Sequence, residues 1–202
     1  MKLYYFPGAC SIAPHIVARE SGILLDLEKV DLGSKRTASG ENYLEVNPKG
    51  YVPALRLDDG SVLTEVSCLI QYLADLAPAA GLIPPDGTIG RYRVLEWIGY
   101  LATEVHKGFG PLWNAKLAPE ARAAAVAALS HRLELVEKTL AAQPFLTGER
   151  FTVADAYLFA VASWAPWVKL DMAPWPAIRD FVARVASRPK VQEALVAEGL
   201  VE

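Results

Sequence analysis

Apolar and polar residues change their spacing along the first part of the chain. Residues 2–6 form a short aromatic-rich run that stops at a Pro-Gly pair, and residues 12–20 then carry apolar side chains at helical spacing. This order predicts a strand, a tight turn and a helix. Residues 25–32 alternate apolar and polar side chains, which predicts a second strand with one buried face.

The next segment predicts a hairpin and a helix. Pro53 precedes a strand-like run. Proline cannot donate a hydrogen bond to a sheet ladder, so it belongs at the start of a strand. An X–Pro bond in a tight turn can also be cis. Residues 58–60 are Asp-Asp-Gly, a hairpin turn signal, and residues 65–75 repeat apolar side chains at helical spacing. Residues 1–77 therefore predict an α/β thioredoxin-like domain with a mixed four-stranded sheet.

Strand signals are absent from the rest of the chain. Residues 78–90 are rich in proline and glycine, which predicts a linker between domains. Beyond it, one amphipathic helix is indicated by the apolar stripe Val94, Ile98, Leu101 and Val105, and another by the stripe Val126, Leu129, Leu133, Val136 and Leu140 after Pro119. We predict an all-helical domain over residues 91–202.

Thr152 and Asp155 have the spacing of a helix capping box. The threonine can cap the backbone, and the aspartate three residues later can reach back to the N–H of the cap residue. We interpret Asp155 as a structural residue rather than a catalytic one.

Composition narrows the class of protein. The 202 residues are 52% hydrophobic and 21% charged, which is typical of a globular chain, and the net charge of −3 gives no reason to expect nucleic acid or a membrane surface as partner. Two cysteines without a dense spacing pattern, no signal segment and no apolar run of membrane-spanning length favour a cytoplasmic location. The three histidines lack metal-ligand spacing, so we expect no metal site.

Cys10 falls at the first predicted turn, just before a helix. The unpaired N–H groups and the positive dipole end of that helix favour a thiolate, although a cysteine is also often a small buried hydrophobe, and both interpretations stay open at this point. Nearby, Ser11 is a candidate helix cap and His15 a surface or partly buried histidine. Cys68 lies beside apolar residues of a predicted helix, so we expect it to be packed and less reactive than Cys10.

Four motifs together resemble the glutathione transferases, and most closely their bacterial beta class. They are KLYY-PGACS at residues 2–11, NPKGYVPAL at residues 47–55, T-E leading to QYLAD at residues 64–75, and E-x-H-K at residues 104–107. The resemblance covers nearly the whole chain. It implies a thioredoxin-like domain followed by a helical domain, and glutathione as co-substrate.

The resemblance also implies how the first domain binds glutathione. The backbone of Val52, before Pro53, would pair with the cysteinyl part of the tripeptide. Glu65 would accept from the γ-glutamyl ammonium, the N–H of Val66 would donate to the γ-glutamyl carboxylate, and Lys35 would contact the glycine carboxylate. Many relatives have serine where this chain has Val66, so a hydroxyl donor is missing here.

His106 lies among small residues on one face of the helix that starts at Arg91, including Thr103. Together with the match to E-x-H-K, this indicates a site role, in which His106 and Lys107 favour an anion or transfer a proton. The resemblance further implies a homodimer in which Glu104 contributes to the partner subunit's pocket, with Tyr51 near the contact.

We therefore expect a glutathione transferase that conjugates glutathione to small apolar electrophiles, with Cys10 carrying out thiol–disulfide chemistry with glutathione. Ala13 stands where a dithiol oxidoreductase has its second cysteine, so Cys10 cannot close an internal disulfide with it. The alternatives are a glutathione-dependent dehalogenase or a peroxidase or disulfide reductase on the same fold, and, from another class, a non-catalytic binding or regulatory module.

Overall fold

The computed structural model describes all 202 residues and divides into two compact units. The first comprises residues 1–83 and 187–202, and the second comprises residues 84–186. The boundary near residue 83 falls within the predicted linker. The C-terminal residues differ from the predicted division, because they group with the first unit rather than with the helical one.

The first unit contains a five-stranded sheet. Its strands, in the spatial order β3-β2-β1-β4-β5, are β1 (Lys2–Tyr5), β2 (Asp26–Asp31), β3 (Arg36–Thr37), β4 (Ala54–Arg56) and β5 (Val62–Thr64). β1 and β2 are parallel and all other neighbours are antiparallel, which confirms the mixed sheet. The predicted number of four strands is wrong, because the two residues of β3 add a fifth strand that is too short to show a period.

The chain contains nine α-helices. They are α1 (Ile12–Glu20), α2 (Tyr43–Val46), α3 (Val66–Asp75), α4 (Ile89–Tyr100), α5 (Lys107–Phe109), α6 (Pro119–Ala142), α7 (Val153–Ala162), α8 (Pro176–Ala186) and α9 (Pro189–Ala197). Of these, α1, α3, α4, α6 and α7 correspond to helices that the sequence indicated. A π-helical segment, Leu101–His106, joins α4 to α5. None of the helices is long and apolar enough to cross a membrane.

The first unit is held together by helices packed beside its sheet. α1 packs against α3 and α9, which explains why the C-terminal residues belong to this unit. At one side of the sheet, Tyr4 and Tyr43 are fully buried with ring centroids 5.6 Å apart, and Val52 and Ala54 join the same apolar cluster. Burial of these side chains fixes the end of β1 next to the start of β4.

The second unit is built around α7, in which every residue is buried. The predicted stripe Val94, Ile98, Leu101 and Val105 is buried, as are Leu129, Leu133, Val136 and Leu140 of α6. Pro119 occupies the first turn of α6, as predicted. At the start of α7, the predicted capping box is present between Thr152 and Asp155.

Candidate functional site

Three segments that carry predicted site residues meet at one edge of the sheet. Tyr4 of β1 pairs with Ala54 of β4, which pairs with Thr64 of β5, and both pairings are antiparallel. The end of β1, the start of β4 and the end of β5 therefore lie side by side. The turn that holds Cys10, the Val52–Pro53 segment and the Glu65–Val66 segment continue from these three points.

Cys10 lies directly against the segment that precedes β4. Its thiol donates to the carbonyl oxygen of Val52 at 3.5 Å, and the residue is 9% exposed. The Val52–Pro53 peptide bond is cis, as the sequence indicated. Formation of the thiolate, which disulfide exchange requires, would remove the S–H donor and break this contact with Val52.

Ser11 closes the turn instead of capping the helix. Its hydroxyl accepts from the N–H of Phe6 and donates to the carbonyl of Phe6, both at 3.2 Å, and it makes no cap hydrogen bond to α1. The expectation of a cap was therefore wrong. The hydroxyl of Ser11 thus ties the two ends of the turn, Phe6 and Ser11, together around Gly8 and Cys10.

Cys68 is exposed, so the expectation that it is packed was wrong. The buried positions of α3 are Val66, Leu69, Ile70, Leu73 and Ala74. Cys68 directly precedes two of them, Leu69 and Ile70, but helical geometry turns it away from that face. Accessibility alone favours Cys68 over Cys10 toward a bulky reagent, so greater reactivity at Cys10 has to come from its chemical surroundings.

Glu65 and Val66 stand at the start of α3. The first intrahelical bonds are donated by the N–H groups of Cys68 and Leu69 to the carbonyl of Glu65, both at 3.0 Å, so the N–H of Val66 precedes them and has no acceptor within the helix. Glu65 has φ 72°, a conformation that is uncommon for residues other than glycine. The helix start thus presents an N–H donor beside a carboxylate.

Sequence reasoning missed Lys49 as a neighbour of this pair. Its ammonium lies 2.6 Å from the carboxylate of Glu65 and 2.9 Å from the hydroxyl of Thr64. Both charged side chains are about half exposed, which keeps the ion pair open to exchange with another charged group. Lys49 is the lysine of the motif NPKG at residues 47–50, and this was the only feature of the sequence that pointed to it.

Lys35 is also tied to the loop that leads into β4. Its ammonium donates to the carbonyl of Gly50 at 2.9 Å, and its own backbone has φ 57°. Gly50 has φ 68°, a left-handed conformation that glycine adopts without strain. Lys35 is therefore joined to the loop at Gly50, two residues before Val52.

A buried histidine and a buried carboxylate contact each other next to the turn. The Nδ1 atom of His15 lies 3.0 Å from the carboxylate of Glu198, which also accepts from the N–H of Gly8 at 3.3 Å. His15 is buried, and burial raises the pKa of Glu198 while the bond to His15 opposes this rise. Glu198 had no sequence signal, because 183 residues separate it from His15.

The second unit places His106 at the end of the π-helical segment. Nδ1 of His106 lies 2.8 Å from the hydroxyl of Tyr157, and the ring centroid of Trp164 is 4.9 Å from that of the imidazole. The regular helical spacing from which we predicted one face of small residues ends at Tyr100, because the following segment is π-helical. Neither Tyr157 nor Trp164 was found from sequence.

The other predicted residues of this unit lie in the π-helical segment or directly after it. The carboxylate of Glu104 pairs with Nε of Arg132 at 2.8 Å, with both side chains partly exposed. The hydroxyl of Thr103 donates to the carbonyl of Gly99 at 3.1 Å. Lys107 is exposed. His106 and Lys107 are thus consecutive in the chain, the first at the end of the π-helical segment and the second at the start of α5.

Comparison with known proteins identifies relatives along the whole chain. The family model "Glutathione S-transferase, N-terminal domain" matches residues 9–76, and "Glutathione S-transferase, C-terminal domain" matches residues 100–189. Glutathione S-transferase GstA of Escherichia coli O157:H7 is 50% identical over 200 residues, which are 99% of this chain and 100% of the relative.

Two solved structures are similar over the same length. One, described as a ternary complex of BphK, a bacterial GST, is 48% identical with a TM-score of 0.96 and covers 99% of this chain and 100% of its own. A sphingomonad glutathione S-transferase complexed with glutathione is 45% identical with a TM-score of 0.95 and covers 100% of both chains.

Proposed function

Since this chain belongs to the glutathione S-transferase family, we propose that it joins glutathione to small apolar electrophiles and that Cys10 exchanges disulfides with glutathione. Glutathione S-transferase activity follows from the membership itself. The nature of the electrophile, a role in detoxification and the parts taken by individual residues are the proposal.

The observation that supports the proposal best is the convergence of Cys10, Val52 and Glu65 at one edge of the sheet. Glutathione carries an ammonium and a carboxylate at its γ-glutamyl end. We assign the ammonium to the carboxylate of Glu65, the carboxylate to the N–H of Val66, and the cysteinyl backbone to Val52 and Pro53. We assign Lys35 to the glycine carboxylate, Thr103 to the groove beside His106, and Glu104 to the partner subunit's pocket.

We assign His106 and Lys107 to stabilising the anion that forms during transfer. His106 ends the π-helical segment and Lys107 comes directly after it. Positive charge or an N–H donor near a developing anion lowers the barrier to formation of that anion. No metal takes part in this scheme. The relatives with high identity to this chain are glutathione S-transferases, so the dehalogenase, peroxidase and reductase alternatives, and the non-catalytic module, are not favoured.

The direct test is turnover. Purified protein with glutathione and a chlorinated aromatic electrophile is expected to release chloride and form the thioether at a rate well above that of the two reagents alone. The control lacks protein or contains oxidised glutathione only. A protein that binds glutathione but never exceeds the uncatalysed rate with any of several electrophiles would support a binding module instead.

Replacement of Glu65 by glutamine is expected to weaken glutathione binding. The neutral amide loses the charge attraction to the γ-glutamyl ammonium, so the KM for glutathione should rise roughly ten- to a hundredfold with little change in kcat. The matched control is Glu45→Gln, which alters an exposed carboxylate of α2 in the same unit. Equal KM values for the Glu65 variant and the control would remove Glu65 from the binding site.

We also propose a cytoplasmic homodimer. Tyr51 in the first unit, and Ile89 and Tyr92 of α4 in the second, are large apolar or aromatic side chains that are more than half exposed, which favours protein contacts at these positions. The mass in solution should be twice the 21.9 kDa of one chain. A protein that is monomeric at all concentrations and still conjugates glutathione would contradict both the pocket shared between subunits and the role of Glu104 in it.

A further inference from the structure

Tyr157 is a buried tyrosine whose hydroxyl contacts the proposed anion-stabilising histidine. It belongs to α7 and is 3% exposed, and its oxygen lies 2.8 Å from Nδ1 of His106. A buried hydroxyl needs a hydrogen-bond partner, because burial without one is costly. The two residues are 51 positions apart in sequence, so the contact depends on how α7 packs on the π-helical segment.

The chemistry of the two groups decides which of them donates. A phenol O–H is a stronger acid than the N–H of a neutral imidazole, and the lone pair of an imidazole nitrogen accepts better than a phenol oxygen. The favoured bond is therefore from the hydroxyl of Tyr157 to Nδ1 of His106. Because a neutral imidazole has a single proton, that proton then sits on Nε2.

Aromatic packing limits rotation of the imidazole. The rings of His106 and Tyr157 meet edge to face at 85°, and those of His106 and Trp164 at 71°. Trp164 is itself buried and packs against Phe109 and Trp113, with ring centroids 5.7 Å apart in both pairs. The imidazole is thus held at one nitrogen by a hydrogen bond and at its ring by a supported aromatic group.

We propose that Tyr157 is a positioning residue for glutathione transfer, which fixes the tautomer of His106 that carries its proton on Nε2. In this form His106 donates a hydrogen bond from Nε2 to the anion of the reaction and does not act as a base at that atom. The role rests on the proposed function, in which His106 stabilises the anion. The contact with Tyr157 adds the direction of the hydrogen bond and the identity of the donor atom.

The tautomer is measurable in the intact wild-type protein by nitrogen-15 NMR of the imidazole side chains. The chain has only three histidines, and His106→Asn and His131→Gln variants assign the signals. At neutral to mildly alkaline pH we expect one tautomer of His106, with Nε2 protonated and Nδ1 unprotonated. A signal from His106 with the proton on Nδ1 would overturn the proposal, whatever the activity of the enzyme.

Replacement of Tyr157 by phenylalanine removes the hydroxyl and keeps the ring. We expect the His106 signal to become an average of both tautomers and kcat to fall roughly two- to tenfold, with the KM for glutathione unchanged. In the His106→Asn background the same replacement should have no further effect on kcat. The matched control is Tyr100→Phe, which loses a hydrogen bond to the carbonyl of Arg132 in the same unit and should keep the wild-type tautomer.

Two results would overturn the positioning role. One is a Tyr157→Phe variant that keeps the wild-type kcat and the wild-type tautomer of His106. The other is a loss of kcat on Tyr157→Phe replacement that is as large in the His106→Asn background as in the wild type. If the Tyr157 variant does not fold, the wild-type NMR signal of His106 decides alone. Absence of conjugation by the wild type would contradict the proposed function, while the NMR result would still report whether Tyr157 sets the tautomer.

Discussion

Replacement of Cys10 by alanine is expected to abolish the covalent adduct with glutathione while leaving much of the conjugating activity. In the wild type, the thiolate of Cys10 attacks one sulfur of oxidised glutathione, a Cys10–glutathione disulfide forms, and one glutathione thiolate leaves. Conjugation needs no such bond. A second sulfur anion beside that of glutathione would cost energy by like-charge repulsion, so we expect activation of glutathione to rely on donors other than a Cys10 thiolate.

The exposed Cys68 dictates how this experiment is designed. The protein that keeps Cys10 and the Cys10→Ala variant should both carry Cys68→Ser, so that any adduct is at Cys10. After incubation with oxidised glutathione at mildly acidic pH, the Cys68→Ser protein should gain the mass of one glutathionyl group and the double variant should gain none. Two results would contradict separate roles for Cys10 in disulfide exchange and other donors in conjugation. One is no adduct in the Cys68→Ser protein, and the other is loss of conjugating activity in the double variant.

Replacement of Asp155 by alanine is expected to lower the free energy of unfolding by about 3 to 5 kcal/mol. The carboxylate is fully buried and accepts from the N–H of Leu146, the N–H of Thr152 and the hydroxyl of Thr152, each at 2.8 Å. Alanine would leave two backbone N–H groups buried without an acceptor. It would also open the capping box at the start of α7, around which the second unit is packed.

Chemical denaturation at neutral pH measures this loss. The matched control is Asp171→Ala, because Asp171 also accepts from a backbone N–H, that of Ala173 at 2.9 Å, but is exposed to solvent. That variant should lose less than about 1 kcal/mol. Similar losses for the two variants would show that the buried hydrogen bonds of Asp155 contribute little.

The same residue predicts a pH dependence of stability. Burial raises the pKa of Asp155 to about 6 from its ordinary 3.8, although the bonds from Leu146 and Thr152 oppose the rise. Because the folded state then holds the proton more tightly than the unfolded chain, the stabilising contribution of this titration is complete below about pH 4 and is lost as the pH rises through about 6. The difference between the two limits is ~3 kcal/mol.

Comparison of the wild type with Asp155→Asn isolates this titration, since other groups that titrate, including Glu198, are present in both proteins. The free energy of unfolding of the wild type relative to the variant should fall between about pH 4 and pH 7. A difference that stays constant or grows with pH over this range would contradict a raised pKa at Asp155.

Local patterns were sufficient to predict much of the fold. The turn at Cys10, the hairpin, the start of α6 at Pro119 and the capping box at Asp155 each depend on residues within a few positions of one another, and each is present. The family resemblance then supplied candidates at the sheet edge. These candidates do converge, because strand pairing, which the order of the elements and the hairpin predict, brings the strand ends together.

Features that depend on distant residues could not be predicted. The grouping of α9 with the first unit and the contact of Glu198 with His15 join the two ends of the chain, and the contact of Tyr157 with His106 joins separate helices. Cys68 was misjudged for a different reason. Its apolar neighbours in sequence were taken as neighbours in space, whereas on a helix adjacent residues face different directions.

Cys10, Val52 and Glu65 are proposed to mark the place where glutathione binds, and the decisive experiment is a crystal structure with reduced glutathione. We expect the γ-glutamyl ammonium at the carboxylate of Glu65, the cysteinyl backbone paired with Val52, and the glutathione sulfur next to Cys10 without a bond between the two sulfurs. Glutathione bound elsewhere, or bound here with Glu65 still paired only with Lys49, would contradict this proposal.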